Sequence, residues 1–182
     1  TSFTRPFFAS MRRDLDPVAF TDERELDEYV HGSAEVVGLM CLASFRRGLP
    51  SDPVRDARWD RGAIALGSAF QRVNFLRDLG DDAESLGRRY FPGVNPRSLT
   101  EAQKHRILNG IDAELDEAAA VIRELPASSR RAVAAAHLLY SELSVRLRCT
   151  PAGVLVARRV RVPNARKAWL LARAALWQRT PR

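Results

Sequence analysis

Four polar side chains share one face of a predicted helix in the segment FQRVNFLRDLGDDAESLGRRYFP, residues 70–92. Gln71, Asn74, Asp78 and Asp82 lie within an arc of about 80° at 100° per residue. Asn and Asp compete with the helix for its backbone hydrogen bonds, and carboxylates four residues apart repel each other. A divalent cation between the carboxylates would remove that repulsion. A solvated helix face normally includes lysine, and none lies among these four residues. We therefore favour a Mg²⁺ site, with Mn²⁺ as the alternative, at Asn74, Asp78 and Asp82 over a face that is only solvated.

Arginines flank the two aspartates and continue into the loop that follows them. Arg77 precedes Asp78 directly, and Arg88 and Arg89 belong to the loop sequence GRRYFP, which also contains Tyr90. A guanidinium group can bind phosphate oxygens through two parallel hydrogen bonds. The arrangement predicts that the arginines hold a diphosphate beside the metal, and the alternative is a solvated basic loop.

Helical signals dominate the whole chain and define the elements that must position these side chains. The segment GVLVARRVRVP, residues 153–163, alternates like a strand but has no partner strand, which predicts a short helix or an extended connector. We therefore predict one all-α domain over residues 1–182. The predicted helices run from a Thr21 cap to Gly48 and Pro50, from Arg55 to Ala83, from a Thr100–Gln103 capping box to Pro126, from Ser128 or Ser129 to about Cys149, and from Asn164 to about Gln178.

The composition is that of a globular protein. The chain has 182 residues, of which 46% are hydrophobic and 28% charged. No apolar run approaches the ~18 residues of a membrane span. Two cysteines are too few for a disulfide framework, so Cys41 and Cys149 are predicted to be buried thiols in a cytoplasmic protein.

The net charge of +7 and the pI near 10.4 call for an anionic partner. The densest basic cluster has no interleaved base-reading residues, which disfavours a nucleic-acid-binding module. Contact with anionic lipid headgroups, at the inner face of a membrane, is the preferred interpretation. The cluster consists of Arg158, Arg159, Arg161, Arg166 and Lys167.

The chain resembles the squalene and phytoene synthase family, which joins prenyl diphosphates head to head. That family carries Q-x-x-N-x-x-R-D-x-x-x-D followed by G-R-x-Y-x-P. Residues of this chain match both motifs, and further matches lie upstream in FFASMRRDL and YVHGSAEVVGLM and downstream in LLYSEL. The G-S-A sequence at residues 32–34 is most similar to phytoene synthases of actinobacterial type. The matching residues are Gln71, Asn74, Arg77, Asp78, Asp82, Gly87, Arg88, Tyr90, Pro92, Tyr29, Ala34, Val37, Gly38 and Tyr140.

The resemblance implies an isoprenoid-synthase helical bundle that condenses two geranylgeranyl diphosphates to phytoene with Mg²⁺. A squalene or dehydrosqualene synthase using C15 diphosphate is the nearest alternative, and an inactive fragment is another. The implied catalytic residues are Asp78, Asp82, Tyr29 and Tyr140. The implied substrate-binding residues are Gln71, Asn74, Arg77, Arg88, Tyr90, Ser33, Val36, Val37 and Gly38, and the candidate walls of a prenyl tunnel are Val36, Val37, Leu39, Met40, Leu66 and Phe70.

Two departures from the family pattern affect this interpretation. Ser33 and Glu35 stand where many members have V-A-G with a neighbouring tyrosine. In addition, the family's first aspartate-rich motif has no match in these residues. Asp112 and Asp116 repeat its four-residue spacing, but their acidic neighbours indicate a solvated surface. The expectation from sequence is a C-terminal portion of such an enzyme, inactive on its own.

Overall fold

The computed structural model describes residues 3–16 and 19–175, and these ranges are helical throughout apart from turns and connectors. Between them they hold one isolated bridge, Ala19 with Arg89, and no β-strand. The all-α prediction is therefore confirmed. The elements are α1 (Thr4–Arg13), α2 (Glu23–Val30), a π-helical turn (His31–Glu35), α3 (Val36–Phe45), α4 (Pro53–Arg77), α5 (Leu79–Ser85), a 3₁₀ turn (Pro96–Ser98), α6 (Glu101–Ile122), α7 (Ala127–Cys149), α8 (Ala152–Ala157) and α9 (Asn164–Ala175).

The predicted helix from Arg55 to Ala83 is interrupted at Asp78, so that prediction was wrong in one respect. Asp78 has φ −100° and ψ 7°, and it separates α4 from α5. The cause is a tertiary contact, because a Cβ on Gly80 would lie 1.9 Å from the carbonyl oxygen of Val156. The short helix α5 packs closely on α8 at this glycine, and the chain bends at Asp78 to allow it.

The predicted first helix consists of α2, the π-helical turn and α3. Its N-terminal cap is Asp22, whose side chain accepts a hydrogen bond from the Glu25 backbone, while Thr21 donates to the Glu25 carboxylate. The prediction of a Thr21 cap was wrong by one residue. The π turn coincides with the close approach of α1, since a Cβ on Gly32 would lie 2.1 Å from the Ser10 hydroxyl oxygen.

The remaining boundaries follow the sequence signals in most places. The Thr100–Gln103 capping box is present, whereas α7 begins at Ala127 after Pro126 and is not capped by Ser128 or Ser129. A proline supplies a preset φ and ends the preceding turn, so no side-chain cap is needed there. Both interpretations of residues 153–163 hold in part, because α8 ends at Ala157 and an extended connector follows. The predicted end of the last helix near Gln178 lies outside the described residues.

Helix α4 lies at the centre of the fold and packs against α3, α6 and α7. Ala69, Val73 and Leu76 are buried on the side opposite the polar stripe, as the helical period predicts. Both cysteines are exposed, which contradicts the prediction of buried thiols. None of the helices in the described ranges is long and apolar enough to cross a membrane.

Candidate active site

Two guanidinium groups converge on the carboxylate of Asp78 where α4 ends. Arg77 donates from Nη2 to Oδ2 at 2.6 Å and from Nε to Oδ1 at 3.0 Å. Arg159, from the connector after α8, places Nε 2.6 Å from Oδ1 and Nη2 3.3 Å from Oδ2. The hydrogen bonds to Asp78 raise the pKa of Arg77 above its usual value. Asp78 is therefore a half-buried anion that is held by two cations.

Asp82, four residues further on, belongs to a second chain of polar contacts. The hydroxyl of Tyr90 donates to Asp82 Oδ2 at 2.5 Å, and Arg88 Nη1 lies 3.4 Å from that hydroxyl oxygen. Arg88 also lies 3.6 Å from the carboxylate of Asp14, which accepts a 2.7 Å hydrogen bond from Tyr29. The GRRYFP loop thus connects the second aspartate to the end of α1.

The tyrosines of this network are buried and stay protonated. Burial is the main cause that raises the pKa of Tyr29 and of Tyr90 well above the ordinary value, and the hydrogen bonds to Asp14 and Asp82 raise them further. The ring of Tyr90 stacks on Phe75 with centroids 3.9 Å apart. Both hydroxyls therefore act as fixed donors to carboxylates, and neither is a base at neutral pH.

Asn74 connects the polar groups to an apolar region. Its side-chain amide lies 3.4 Å from the Tyr140 hydroxyl of α7, and the Tyr140 ring stacks on Phe70 at 3.8 Å between centroids. Gln71 is half-buried just before Asn74 on the same stripe. Phe70 is also a wall of the neighbouring cavity.

An apolar cavity of about 450 Å³ lies between α3, α4, α6 and α7. It is lined by three of the predicted tunnel walls, Val37, Leu66 and Phe70, and by Ser33 and Gly38, which were predicted to bind substrate. The Ser33 hydroxyl is buried and has no hydrogen-bond partner among the described residues. The other lining residues are Ala34, Cys41, Leu42, Phe45, Trp59, Gly62, Ala63, Gly67, Ala118, Val121, Ile122, Leu125, Ala132, Val133 and Ala136.

Three predicted walls do not line this cavity. Val36 is buried in the core, and Leu39 and Met40 are also not among the residues that line the cavity. The helical period explains the difference, since Ala34, Val37 and Cys41 share one face of the π turn and α3 that Val36 cannot join. The assignment of Val36, Leu39 and Met40 to the tunnel wall stays a prediction.

The match to a family model decides what kind of site this is. Residues 2–166 match the model described as squalene/phytoene synthase. The chain belongs to the squalene/phytoene synthase family. The relatives below are similar to it at 30–35% identity. Family membership, predicted from the motifs, is confirmed.

Three curated relatives show how far the similarity extends. The phytoene synthase of Rhodobacter capsulatus is 30% identical over 168 residues, which are 84% of this chain and 47% of the relative. The 15-cis-phytoene synthase of a Paracoccus species is 30% identical over 142 residues, 70% of this chain and 44% of the relative. The phytoene synthase of Arthrospira platensis is 35% identical over 115 residues, which are 58% of this chain and 36% of the relative. The chain spans less than half the length of each.

The candidate site contains two residues that the sequence did not single out. Asp14 lies in the M-R-x-D segment that contributed to the resemblance, and this was the available signal for it. Arg159 was assigned to the basic C-terminal cluster, but it pairs with Asp78 across 81 positions. Arg166 of the same cluster binds Glu142 at 2.8 Å. Two arginines of the cluster therefore form ion pairs within the protein, and the cluster is not a uniformly free basic surface.

The second pair of aspartates lies apart from this site. Asp112 accepts hydrogen bonds from Ser144 and from Arg148 Nη2 at 2.5 and 2.7 Å, and Asp116 is exposed. Asp116 therefore fits the expected solvated surface, whereas Asp112 forms an interhelical ion pair between α6 and α7. Within residues 3–16 and 19–175 no group of three His, Cys, Asp or Glu side chains is arranged to hold a metal ion.

Proposed function

We propose that this chain carries a prenyl diphosphate site of an enzyme that condenses two geranylgeranyl diphosphates head to head to phytoene. The observation that carries the proposal is the continuity of the two halves of the site. Asp78 lies at the end of α4 and Asp82 on α5 just after it, and Asn74, Tyr140 and Phe70 lead from them to the apolar cavity. A ligand with a diphosphate head and a long hydrocarbon tail fits that combination.

The donor set fits Mg²⁺, with Mn²⁺ as an alternative, when a diphosphate is bound at the same time. Asp78, Asp82 and Asn74 would hold the ion with hard oxygen atoms, and two carboxylates leave coordination positions for substrate oxygens and water. When bound, the metal would stabilise the negative charge of the departing diphosphate.

The arginines that form ion pairs with aspartates supply the second half of the diphosphate site. Arg77 and Arg159 are paired with Asp78, and Arg88 reaches both Tyr90 and Asp14. A diphosphate offers these guanidinium groups more oxygens than one carboxylate does. We expect Arg77 and Arg159 to bind the diphosphate and to release Asp78 for the metal.

The aromatic and apolar residues would protect the allylic cation formed after diphosphate departure. The face of Tyr140, stacked on Phe70, can stabilise a passing positive charge, which is the catalytic role we assign to it. Tyr29 would act indirectly. Its hydroxyl holds the carboxylate of Asp14, and that carboxylate in turn holds the guanidinium group of Arg88. Ser33, Val37 and Gly38 would contact the prenyl chain and exclude water, and Gln71 would contact the diphosphate side.

The product identifies the reaction. The enzyme that contains this chain is incubated with Mg²⁺ and either geranylgeranyl or farnesyl diphosphate, and the hydrocarbons are separated by chromatography. We expect phytoene from the C20 substrate. A clear preference for C15 diphosphate, giving squalene or dehydrosqualene, would replace the proposed substrate by the shorter one. The three relatives described above are phytoene synthases, which supports the C20 reaction.

We also propose that the protein, one all-α domain in the cytoplasm, touches an anionic membrane through α9. The sequence contains no acidic residue after Glu142, and α9 exposes Trp169 and Leu171 at 49% and 60% beside Lys167. Exposed apolar side chains flanked by cations suit a lipid surface better than nucleic acid.

Vesicle flotation tests the membrane contact. The enzyme should float with vesicles containing phosphatidylglycerol and much less with phosphatidylcholine alone, since the cations add attraction to anionic headgroups. The double change Trp169→Ala and Leu171→Ala should reduce flotation. Flotation that is unaffected by these changes would assign the contact to another surface.

A further inference from the structure

The cavity has a polar end and a far end along α4. One face of α4 lines it with Trp59, Gly62, Ala63, Leu66, Gly67 and Phe70. Phe70 stands at the end nearest Asn74 and Tyr140, and Trp59 lies about 16 Å away at 1.5 Å per residue. The residues between these two rings are mostly small. Trp59 is therefore the large side chain that limits the cavity at the end opposite the aspartates.

Trp59 is held in place by two direct contacts, to Glu124 and to Arg55. Its Nε1–H donates to Glu124 Oε2 at 3.0 Å, and the same oxygen accepts from Arg58 at 2.5 Å. The guanidinium carbon of Arg55 lies 5.0 Å from the centroid of the indole ring. Only 3% of Trp59 is exposed. Rotating the ring out of the cavity would break a hydrogen bond to a charged acceptor, so this wall is fixed.

The backbone beside Trp59 cannot retreat to enlarge the cavity. A Cβ on Gly62 would lie 2.1 Å from Val121 Cγ2, so α4 and α6 are already in close contact one turn after Trp59. Val121 of α6 and Leu125 of the turn after it pack with Trp59 and Leu42 in one buried cluster. A longer ligand that follows α4 to this end of the cavity therefore meets the indole.

We infer that Trp59, fixed by Glu124, sets the longest prenyl chain that the cavity accepts. The inference rests on the proposed function, because it assigns the tail of the prenyl diphosphate to this cavity with its head at Asp78. The indole is a specificity-determining wall: it contacts the end of the chain and takes no part in the chemistry. Shortening the side chain should extend the cavity at the end farthest from the diphosphate.

The test compares Trp59→Leu with the wild-type enzyme on geranylgeranyl (C20) and geranylfarnesyl (C25) diphosphates. The ratio of kcat/KM for C25 to that for C20 should rise by about tenfold or more, since single methylenes in apolar pockets give comparable discrimination. Trp59→Phe, which keeps a ring, should raise the ratio less. Val54→Ala, an exposed apolar change on the same helix outside the cavity lining, is the control and should leave the ratio unchanged.

Binding of non-reactive C20 and C25 thiolodiphosphates, measured by the shift in melting temperature, gives a second readout that does not require turnover. Trp59→Leu should gain affinity for the C25 analogue relative to the C20 analogue. A wild-type enzyme that forms phytoene while both Trp59 variants keep the wild-type ratios would overturn the inference alone. A wild-type enzyme that binds neither analogue would overturn the proposed function as well.

Discussion

Replacing Asp78 with Asn should reduce phytoene formation by about two to three orders of magnitude, the loss typical of removing one electrostatic stabiliser of a transition state. The amide keeps the shape of the side chain but loses the charge that would hold the metal. It also removes the anion that orients Arg77 and Arg159. The melting temperature should stay near that of the wild type because all three side chains are partly exposed. Steady-state rates at saturating Mg²⁺ measure the effect.

Asp81→Asn is the matched control for this change. Asp81 lies on α5 beside Asp82, but it is exposed and its side chain has no partner among the described residues. The same loss of charge three residues away should leave the rate within a small factor of the wild type. Near-normal turnover by Asp78→Asn, or an equal loss in Asp81→Asn, would contradict the assignment of Asp78 as a metal ligand.

Arg159→Ala should change the requirements for diphosphate and for Mg²⁺ in opposite directions. A charge-assisted contact contributes about 1.5–3 kcal/mol, so KM for the prenyl diphosphate should rise by roughly ten- to a hundredfold. The Mg²⁺ concentration needed for half-maximal rate should fall, because Arg159 no longer competes for Asp78. Titrating each component at saturation of the other separates the two effects.

The neighbouring Arg158 offers a control of identical chemistry. Its side chain is exposed and has no carboxylate partner in the described ranges. Arg158→Ala should leave both concentration dependences close to those of the wild type. If Arg159→Ala raised the Mg²⁺ requirement as well, Arg159 would be a support for Asp78 and not its competitor.

The sequence predicts the parts of this site that depend on local spacing. The stripe of Asn74, Asp78 and Asp82 follows from the helical period, and Gly87 and Pro92 end that segment in a loop. The all-α fold and the family follow for the same reason, because both rest on periodicity and on contiguous motifs. The Thr100–Gln103 box shows that a cap can also be predicted when its two residues are three positions apart.

What the sequence does not predict comes from contacts between distant segments. The bend at Asp78 arises where Gly80 meets α8, and the π turn at Gly32 coincides with α1 packing against it. The pairing of Arg159 with Asp78 joins residues 81 positions apart, and no local pattern distinguishes Arg159 from the exposed Arg158 beside it. Exposure of Cys41 similarly depends on which face of α3 its neighbours cover.

The central claim is that Asp78 and Asp82 bind Mg²⁺ only together with a diphosphate, and a calorimetric titration tests it most directly. Mg²⁺ is added to the enzyme with and without saturating geranylgeranyl thiolodiphosphate, which does not react. We expect saturable Mg²⁺ binding only when the analogue is present. This binding should be lost in Asp78→Asn and kept in Asp81→Asn. Equally tight Mg²⁺ binding without the analogue, or analogue binding that is indifferent to Mg²⁺ and to Asp78, would contradict it.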